Sequence, residues 1–257
     1  MPRKFGQHFL RDQSILERIA TAACPEGEQD LVVEIGPGRG ALTRYLLLRA
    51  ERVIAIEVDP SMVSHLALYF VTEPRLEVRH QNVLDANLQE FAPCVIAGNL
   101  PYYISSPIAS KVFEAAGAWK RAVFLVQKEV AMRMAAAHGN RDYGYLSVLT
   151  QVHAKATILF NVPPSAFSPP PKVDSAVILL EPKMFDATAA KRFLKFASRA
   201  FAHKRKTLRN NLAPFYGKAA IDAQPEAGLR AEQLSPAQLQ DLESRLATIP
   251  PDAILSV

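Results

Sequence analysis

The sequence predicts an α/β fold in which a doubly wound, mostly parallel sheet precedes a small all-α C-terminal domain. Short apolar runs rich in β-branched residues alternate with stretches of helical periodicity through the larger part of the chain. After Glu181 and Pro182 the strand pattern stops, and the remaining chain is helical in pattern and carries a dense basic cluster. We therefore place a domain boundary near 182, between a sheet domain over 1–182 and a helical domain over 183–257.

The predicted elements follow this alternation from the N-terminus onward. A helix is expected over 12–23, because Asp12 suits an N-cap and apolar residues recur on one face. Five strands and a closing strand pair are expected at 31–35, 53–56, 76–80, 94–98, 122–126, 156–160 and 176–180. The strand over 76–80 alternates in polarity and is expected at an edge of the sheet. Past the boundary, an apolar stripe predicts a helix within 188–203, and Ser235 begins a capping box that starts the last helix.

Composition and charge narrow the class of protein. The 257 residues are 49% hydrophobic and 21% charged, which is typical of a globular protein. No apolar run approaches the ~20 residues needed to cross a bilayer, and the N-terminus lacks the apolar segment of a secretion signal. Two cysteines, Cys24 and Cys94, are too few for a disulfide framework or a zinc site, so no metal is expected. We expect a cytoplasmic protein without a membrane partner, and the net charge of +5 points toward a polyanion.

A glycine-rich segment follows the first strand of the sheet, and its sequence is Gly36-Pro37-Gly38-Arg39-Gly40. With Ala41 it satisfies the looser dinucleotide pattern Gly-x-Gly-x-x-Ala, although the glycines could also serve only a tight turn. Glu57 ends the next strand about twenty residues later, where an acid bonds ribose hydroxyls. NAD and S-adenosylmethionine both contain an adenosine ribose, so these two features leave the choice between them open.

A polar tetrapeptide, Asn99-Leu100-Pro101-Tyr102, directly follows the apolar run over 94–98. Ligands of open α/β sheets bind at the carboxyl ends of the strands. The exocyclic amine of a nucleobase is a poor nucleophile, because its lone pair is delocalised into the ring. The Asn99 amide oxygen and the Leu100 carbonyl could accept its two N–H bonds and favour a more tetrahedral nitrogen. Pro101 would hold that carbonyl and Tyr102 would stack on the base, whereas the tetrapeptide alone also fits an ordinary strand-to-helix turn.

Asp85 follows the third strand and favours a methyl donor over NAD. An acid at this position, with nearby backbone, could read the amino edge of an adenine, whereas a lone loop aspartate usually caps a helix or faces solvent. Glu57, Asp85 and Asn99 together place polar groups at the ends of successive strands. This constellation suits a methyl donor lying across the strand ends beside an amine acceptor.

The loop over 162–172 is rich in proline and is predicted to be stiff and extended. Phe167 is held among prolines and small residues in this loop. It is a candidate stacking wall that would face Tyr102 across a flipped base. Alternatively, the prolines only stiffen a connection and Phe167 fills the core.

A basic cluster lies in the helical domain and comprises Arg199, His203, Lys204, Arg205, Lys206 and Arg209. A run of charge is often only a solvated helix face. Here the positive charge is concentrated in a small domain, and the other domain carries a site suited to nucleobases. This combination favours contacts with phosphates, and hence RNA binding.

Six segments spread along the whole chain resemble the rRNA adenine N6,N6-dimethyltransferase family, and most of all its bacterial small-subunit type. They are Phe5-Gly6-Gln7-His8-Phe9-Leu10, Glu34 to Thr43, Glu57-Val58-Asp59, Asn99 to Tyr102, Pro164 to Phe167, and Arg205 to Asn210. The six segments together are highly specific for this family, although several of them alone are not. The resemblance implies a Rossmann-like class I methyltransferase sheet, mostly parallel with an antiparallel closing hairpin, and a small helical domain that binds rRNA.

The resemblance also implies a reaction. The enzyme would use S-adenosylmethionine to methylate adenine N6 in 16S rRNA within a small-subunit assembly particle. The product would be N6,N6-dimethyladenosine at two adjacent adenines of a hairpin loop near the 3′ end, and we expect a monomer with a role in subunit biogenesis.

The expected site residues follow from the resemblance together with the motifs above. Donor contacts are expected from His8, Leu10, Gly36, Gly38, Glu57, Val58, Asp85 and Asn99, and catalytic roles from Asn99, Leu100, Pro101, Tyr102 and Phe167. RNA contacts are expected from Arg199, Lys204, Arg205, Lys206 and Arg209. This chain has His8 and Tyr103 where the family often has Asn, which bears on the hydrogen bonding of the first donor contact.

Three alternatives stay open. A relative of the antibiotic-resistance type would share the catalytic motif and methylate large-subunit rRNA. An NAD-dependent oxidoreductase would use the glycine loop and Glu57 but would give no role to the segment from Asn99 to Tyr102. A non-catalytic RNA-binding assembly factor would bind RNA without turnover.

Overall fold

The structure is a computed structural model that describes residues 8–25 and 29–248. Of the predicted features, the segment Phe5-Gly6-Gln7 lies outside these residues. Within them, no helix has both the length and the apolar character that spanning a membrane requires.

The chain divides into two compact units, and the second is built from two separate stretches. The first unit takes the chain up to Ala131 and again over Ala154–Pro182, and the second takes Met132–His153 and the chain from Lys183 onward. The break at Pro182 coincides with the expected boundary. The segment Met132–His153 differs from the expectation, which placed it in the sheet domain, because Tyr143 and Val148 are buried in the apolar core of the second unit.

The first unit contains a seven-stranded sheet that is parallel except at one end. In chain order the strands of the described residues are β1 (Phe9–Leu10), β2 (Gln29–Ile35), β3 (Ala50–Glu57), β4 (Leu76–His80), β5 (Cys94–Asn99), β6 (Trp119–Gln127), β7 (Ala154–Val162), β8 (Phe167–Ser168) and β9 (Ser175–Pro182). The order in the large sheet is β4-β3-β2-β5-β6-β9-β7, and β9 pairs antiparallel with both β6 and β7. The predicted closing hairpin and the edge position of β4 are therefore confirmed.

A two-stranded sheet between β1 and β8 was not predicted from the sequence. The strands are antiparallel, with Phe9 opposite Ser168 and Leu10 opposite Phe167. The Arg11 amide also donates to the carbonyl of Ala166 at 2.8 Å. These bonds tie the start of the described chain to the proline-rich loop.

The described residues form ten helices, and some of these begin at a residue whose side chain caps the first turn. They are α1 (Gln13–Ala23), α2 (Ala41–Leu47), α3 (Pro60–Tyr69), α4 (Ser105–Glu114), α5 (Lys128–Ala135), α6 (Tyr145–His153), α7 (Ala187–Ala200), α8 (Leu208–Tyr216), α9 (Lys218–Asp222) and α10 (Pro236–Ala247). The Asp12 carboxylate accepts the amide of Ile15 at the start of α1, as predicted. Ser235 and Gln238 form the predicted capping box of α10.

Each unit has its own apolar core. Consecutive residues of β2, β3, β5 and β6 are buried, so both faces of the central sheet are covered. Cys24 and Cys94 belong to the buried residues of the first unit, and burial raises the pKa of Cys24 to about 11 and of Cys94 to about 12. In the second unit, Phe193 and Phe196 of α7 pack with residues of α8 and α10, as the predicted apolar stripe requires.

Candidate active site

A cavity of the first unit lies at the carboxyl ends of β2, β3 and β5, where ligands of α/β sheets bind. It encloses about 1120 Å³, including its open mouth. The predicted site residues that line it are His8, Leu10, Gly36, Gly38, Glu57, Val58, Asn99, Leu100, Pro101 and Tyr102. Asp85 and Phe167 are predicted site residues that do not line it.

The glycine-rich segment forms the turn between β2 and α2. Gly36 and Gly38 have φ angles of 68° and 55°, in the left-handed region that favours glycine. A Cβ atom on Gly38 would lie 3.1 Å from the ring of Phe9, so a side chain there would also require this ring to shift. A Cβ on Gly36 would meet the Asn99 carbonyl at 3.7 Å, which shows how close this turn lies to the end of β5.

The Glu57 carboxylate organises the end of β3, and the residue is 4% exposed. Its Oε2 accepts the Gly38 amide at 3.0 Å, and its Oε1 accepts the amides of Val58 and Asp59, each at 2.9 Å. A carboxylate has about four acceptor positions, so three main-chain donors leave room for one more. Glu57 thus fixes the glycine turn and can still accept a hydroxyl donor.

A second buried carboxyl group, Glu34 on β2, lines the same cavity and was not singled out from the sequence. It is 1% exposed, and the Thr43 hydroxyl donates to its Oε2 at 2.6 Å. Burial raises the pKa of Glu34 to about 8; the charge of Glu57 adds to the rise, and the bond from Thr43 opposes it. The available signal was a single acid inside the apolar run over 31–35.

At the end of β4 the cavity is lined by Asn82 and not by Asp85, whose predicted contact with the donor stays a prediction. Gln81, Asn82 and Val83 line the cavity, whereas Asp85 is exposed. Asp85 is the last residue of a short 3₁₀ turn over Val83–Asp85. The Asn82 amide nitrogen donates to Asp85 Oδ2 at 3.0 Å, which links Asp85 to a residue of the lining.

The Asn99 amide has a defined orientation at the end of β5. Its Nδ2 donates to the main-chain carbonyl of His8 at 3.1 Å. Because a carbonyl only accepts hydrogen bonds, the nitrogen must face it, and the oxygen Oδ1 is left for a donor in the cavity. Next to Asn99, the Leu100 amide donates to Leu125 at 3.0 Å and holds the start of the tetrapeptide on β6.

Tyr102 lines the cavity and contacts residues of three other chain segments. Its hydroxyl shares a 2.5 Å hydrogen bond with Ser175, and its main-chain carbonyl accepts the Ser105 hydroxyl at 3.2 Å. The His8 ring stacks on the Tyr102 ring, with centroids 5.7 Å apart and an interplanar angle of 24°. The cavity therefore combines a glycine turn, buried carboxyl groups, an oriented amide and an aromatic ring.

A comparison of the sequence with known families explains why these features of the cavity occur together. The profile of the family described as Ribosomal RNA adenine dimethylase matches residues 1–247. The chain belongs to this family. A Ribosomal RNA small subunit methyltransferase A of Legionella pneumophila (strain Lens) is 40% identical over 247 residues, covering 94% of this chain and 96% of the relative. The protein of that name from Xanthomonas euvesicatoria is 42% identical over 239 residues, covering 90% and 91%.

Solved structures of dimethylases and related enzymes are also similar to this adenine dimethylase. A dimethyladenosine transferase from Plasmodium falciparum matches with a TM-score of 0.75 at 28% identity, covering 91% of this chain and 96% of that one. The 23S rRNA methyltransferase ErmE matches with a TM-score of 0.71 at 28% identity, covering 93% and 100%. The predicted α/β methyltransferase fold and the predicted S-adenosylmethionine-dependent rRNA adenine dimethyltransferase are thereby confirmed, and the NAD-dependent alternative is excluded.

Within this dimethylase, Phe167 lies in the apolar core and does not line the cavity. The residue is 4% exposed and belongs to the apolar core of the first unit, together with Leu10 and Val177. The pairing of β1 with β8 sets Phe167 opposite Leu10 and covers it. The alternative, in which Phe167 fills the core, describes its position.

The basic residues of the dimethylase's second unit have different surroundings. Arg205 and Lys206 are exposed. Lys204 donates to the carbonyl of Arg141 at 2.8 Å, and Arg209 forms an ion pair with Asp222. The Arg199 guanidinium lies 4.3 Å from the centroid of the Phe215 ring, as in a cation–π contact.

Proposed function

We propose that this protein dimethylates adenine N6 in small-subunit (16S) rRNA, at two adjacent adenines of a hairpin loop near the 3′ end. Relatives named small subunit methyltransferase A are 40% and 42% identical to it over nine tenths or more of the chain, which supports the small subunit as the source of the RNA. The large-subunit alternative has weaker support, since the 23S enzyme ErmE is 28% identical.

The observation that carries this proposal is the orientation of the Asn99 amide. With Nδ2 bound to the carbonyl of His8, Oδ1 can accept an N–H bond from the adenine amine. The Leu100 carbonyl is the neighbouring acceptor for the second N–H bond. Two acceptors on one amine favour a more tetrahedral nitrogen with an available lone pair, and they act most strongly as the nitrogen is alkylated.

The residues that line the cavity fit the methyl donor. S-adenosylmethionine supplies an electrophilic methyl group carried on a sulfonium sulfur. The residues that would hold it are His8, Leu10, Gly36, Gly38, Glu57, Val58 and Asn99, which line the cavity, together with Asp85, which is bonded to the lining residue Asn82. Glu57 has an acceptor position left for a ribose hydroxyl, and the turn at Gly36 and Gly38 keeps side chains out of the space beside it.

The same groups allow a second methyl transfer. Tyr102 would stack on an adenine that has left its helix, and unpairing is cheapest where the base already lies in a loop. After one methyl transfer the amine still carries one N–H bond. Either Asn99 or the Leu100 carbonyl can accept that bond, so the product is N6,N6-dimethyladenosine.

RNA binding would reside in the second unit and catalysis in the first. Arg199, Lys204, Arg205, Lys206 and Arg209 would contact phosphates of the RNA. We place the reaction in the cytoplasm, on a small-subunit assembly particle, and expect the protein to act as a monomer with a role in subunit biogenesis.

Mass spectrometry of nucleosides tests the proposal. Small-subunit particles, large-subunit particles and free rRNA from cells lacking the enzyme would each be incubated with protein and S-adenosylmethionine. We expect N6,N6-dimethyladenosine only in the small-subunit RNA. Methylated adenine in large-subunit RNA would support the antibiotic-resistance type, and RNA binding without any methylation would support a non-catalytic assembly factor.

A further inference from the structure

The ring of Tyr102 is anchored at its two ends by different parts of the first unit. Its backbone belongs to the loop that follows β5, and its hydroxyl lies 2.5 Å from Ser175 Oγ at the start of β9. Ser175 is fully buried and forms part of the antiparallel ladders with β6 and β7. A serine in that position has little freedom, so its hydroxyl is a fixed attachment point for the phenol.

The His8 imidazole restrains the same ring from one face. The two rings stack at 5.7 Å between centroids, and His8 Nδ1 is itself bonded to the carbonyl of Pro169 at 2.9 Å. The main-chain carbonyl of His8 holds the Asn99 amide. One residue of the N-terminal segment thus contacts both side chains that would hold the adenine.

We propose that Ser175 and His8 are positioning residues that fix the plane of the Tyr102 ring for stacking on the flipped adenine. The inference rests on the proposed function and assigns residues to it beyond those that touch the base. Stacking requires the ring to be parallel to the base, and a ring held in advance loses less conformational entropy when the base enters. Because His8 covers one face of Tyr102, the adenine stacks on the other face.

Protonation of the phenol is consistent with this arrangement. Burial raises the pKa of Tyr102, and the bond to Ser175 opposes the rise without cancelling it. The phenol therefore stays neutral at physiological pH and keeps a proton for the hydrogen bond to Ser175.

A double-mutant cycle tests the bond between Ser175 and Tyr102. Tyr102→Phe and Ser175→Ala each remove the bond while leaving the Tyr102 ring in place. We expect each to lower kcat/KM for small-subunit particles about three- to tenfold, and the double variant to be no worse than either single one. The affinity for S-adenosylhomocysteine, measured by calorimetry, should change less than about twofold in all three. Additive losses, or wild-type kinetics in Tyr102→Phe, would overturn the role of Ser175.

The stacking contact of His8 needs a separate pair of variants. His8→Phe keeps an aromatic ring over Tyr102, and His8→Ala removes it. Both variants lose any contact that the imidazole makes with the donor, so the role of the ring is read from the difference between them. We expect kcat/KM for the particle to be about three- to tenfold lower in His8→Ala than in His8→Phe, because only phenylalanine keeps a ring on Tyr102. Equal kcat/KM in the two variants would show that His8 only contacts the donor, as the family resemblance implied.

Spectroscopy and controls separate positioning from general stability. An RNA with 2-aminopurine at the methylated position reports stacking, and we expect brighter emission in complexes of Ser175→Ala and His8→Ala than in the wild-type complex. Ser175→Thr should restore the wild-type signal, since it restores a hydroxyl. Ser147→Ala removes another buried serine hydroxyl, in the second unit, and should not alter the emission. Failure of the wild-type protein to methylate small-subunit adenines would instead count against the proposed function.

Discussion

The side-chain nitrogen of Asn99 donates a hydrogen bond to the main-chain carbonyl of His8, 3.1 Å away and 91 residues distant in sequence. The bond joins the end of β5 to the N-terminal segment and determines which atom of the amide is available to substrate. An isosteric acid would place two acceptors against each other at this contact.

Asn99→Asp should therefore slow methyl transfer strongly, although asparagine and aspartate have nearly the same size and shape. We expect methyl transfer in a single turnover to slow by about a hundredfold or more, because the substitution removes a preorganised hydrogen bond to the reacting amine. RNA affinity should change less than about threefold, since that bond strengthens only during reaction. Asn87→Asp, an exposed substitution of the same type, is the control. Equal losses of rate and RNA affinity would contradict a catalytic role for Asn99.

Glu57→Gln should weaken donor binding. The carboxylate accepts three main-chain amides with its two oxygens, and a glutamine has one acceptor oxygen and would direct N–H bonds at one of these donors. We expect a loss of about 1.5–3 kcal/mol in S-adenosylmethionine affinity, roughly tenfold or more, by calorimetry. Glu51→Gln, on an exposed position of the same strand, should bind normally, and NAD should not bind the wild type. An unchanged affinity in folded Glu57→Gln would refute the assignment.

The buried acid Glu34 predicts a pH dependence of stability. Its pKa is about 8 in the folded protein against an ordinary value of 4.5, so between these values the folded state binds more protons than the unfolded state. The free energy of unfolding should therefore fall with rising pH, by about 1.4 kcal/mol per pH unit from this group where the protonation difference is complete. Glu34→Gln should lack this component, and the difference between the two urea-unfolding profiles measures it. Parallel profiles from pH 5 to 8 would show that Glu34 is already ionised.

Phe167→Leu distinguishes a core residue from a stacking residue. Leucine keeps most of the apolar volume but has no aromatic face, so we expect methylation within about threefold of wild type. Phe167→Ala should instead lower the free energy of unfolding by about 3–5 kcal/mol, as large-to-small core substitutions do. Chemical denaturation and initial rates measure the two effects. A rate loss of tenfold or more in a stable Phe167→Leu protein would restore the stacking role.

Neutralising Arg205 and Lys206 should reduce the salt dependence of RNA binding. Removing one ionic interaction with a phosphate should lower the slope of log affinity against log salt by roughly 0.7–0.9. Binding titrations at several salt concentrations, for Arg205→Gln, Lys206→Gln and the pair, give the slopes. Lys120→Gln removes the same charge from the first unit and should leave the slope unchanged. If the paired variant also leaves it unchanged, these side chains form only a solvated surface.

The sheet could be predicted because burial on both faces leaves a continuous apolar signature in each central strand. The N-cap at Asp12 and the capping box at Ser235 could also be predicted, because both depend only on the local sequence. Contacts between segments that are distant in the sequence could not be predicted. The pairing of β1 with β8 involves two residues on each side, too short for a periodic pattern, and it decides that Phe167 is buried.

The cavity lining after β4 could not be predicted for a different reason. An acid is the residue type expected beside an adenine amine, and that preference selected Asp85. Which residue lines a cavity depends on the backbone turn after the strand, and Asn82, which precedes the 3₁₀ turn, lines it here. Glu34 was not predicted as a site residue, because its only signal is a single acid within an apolar strand. Nothing near it in the sequence identifies its hydrogen-bond partner, Thr43.

The interrupted path of the chain has a practical consequence for dissecting this protein. The chain passes between the two units three times, because Met132–His153 leaves the first unit and Ala154–Pro182 returns to it. A C-terminal fragment that begins after Pro182 would lack Tyr143 and Val148, which belong to the core of the second unit. It would therefore expose the apolar surface that these two residues cover. Exchange of the second unit between relatives therefore requires transplanting both of its stretches, with a linker in place of Ala154–Pro182.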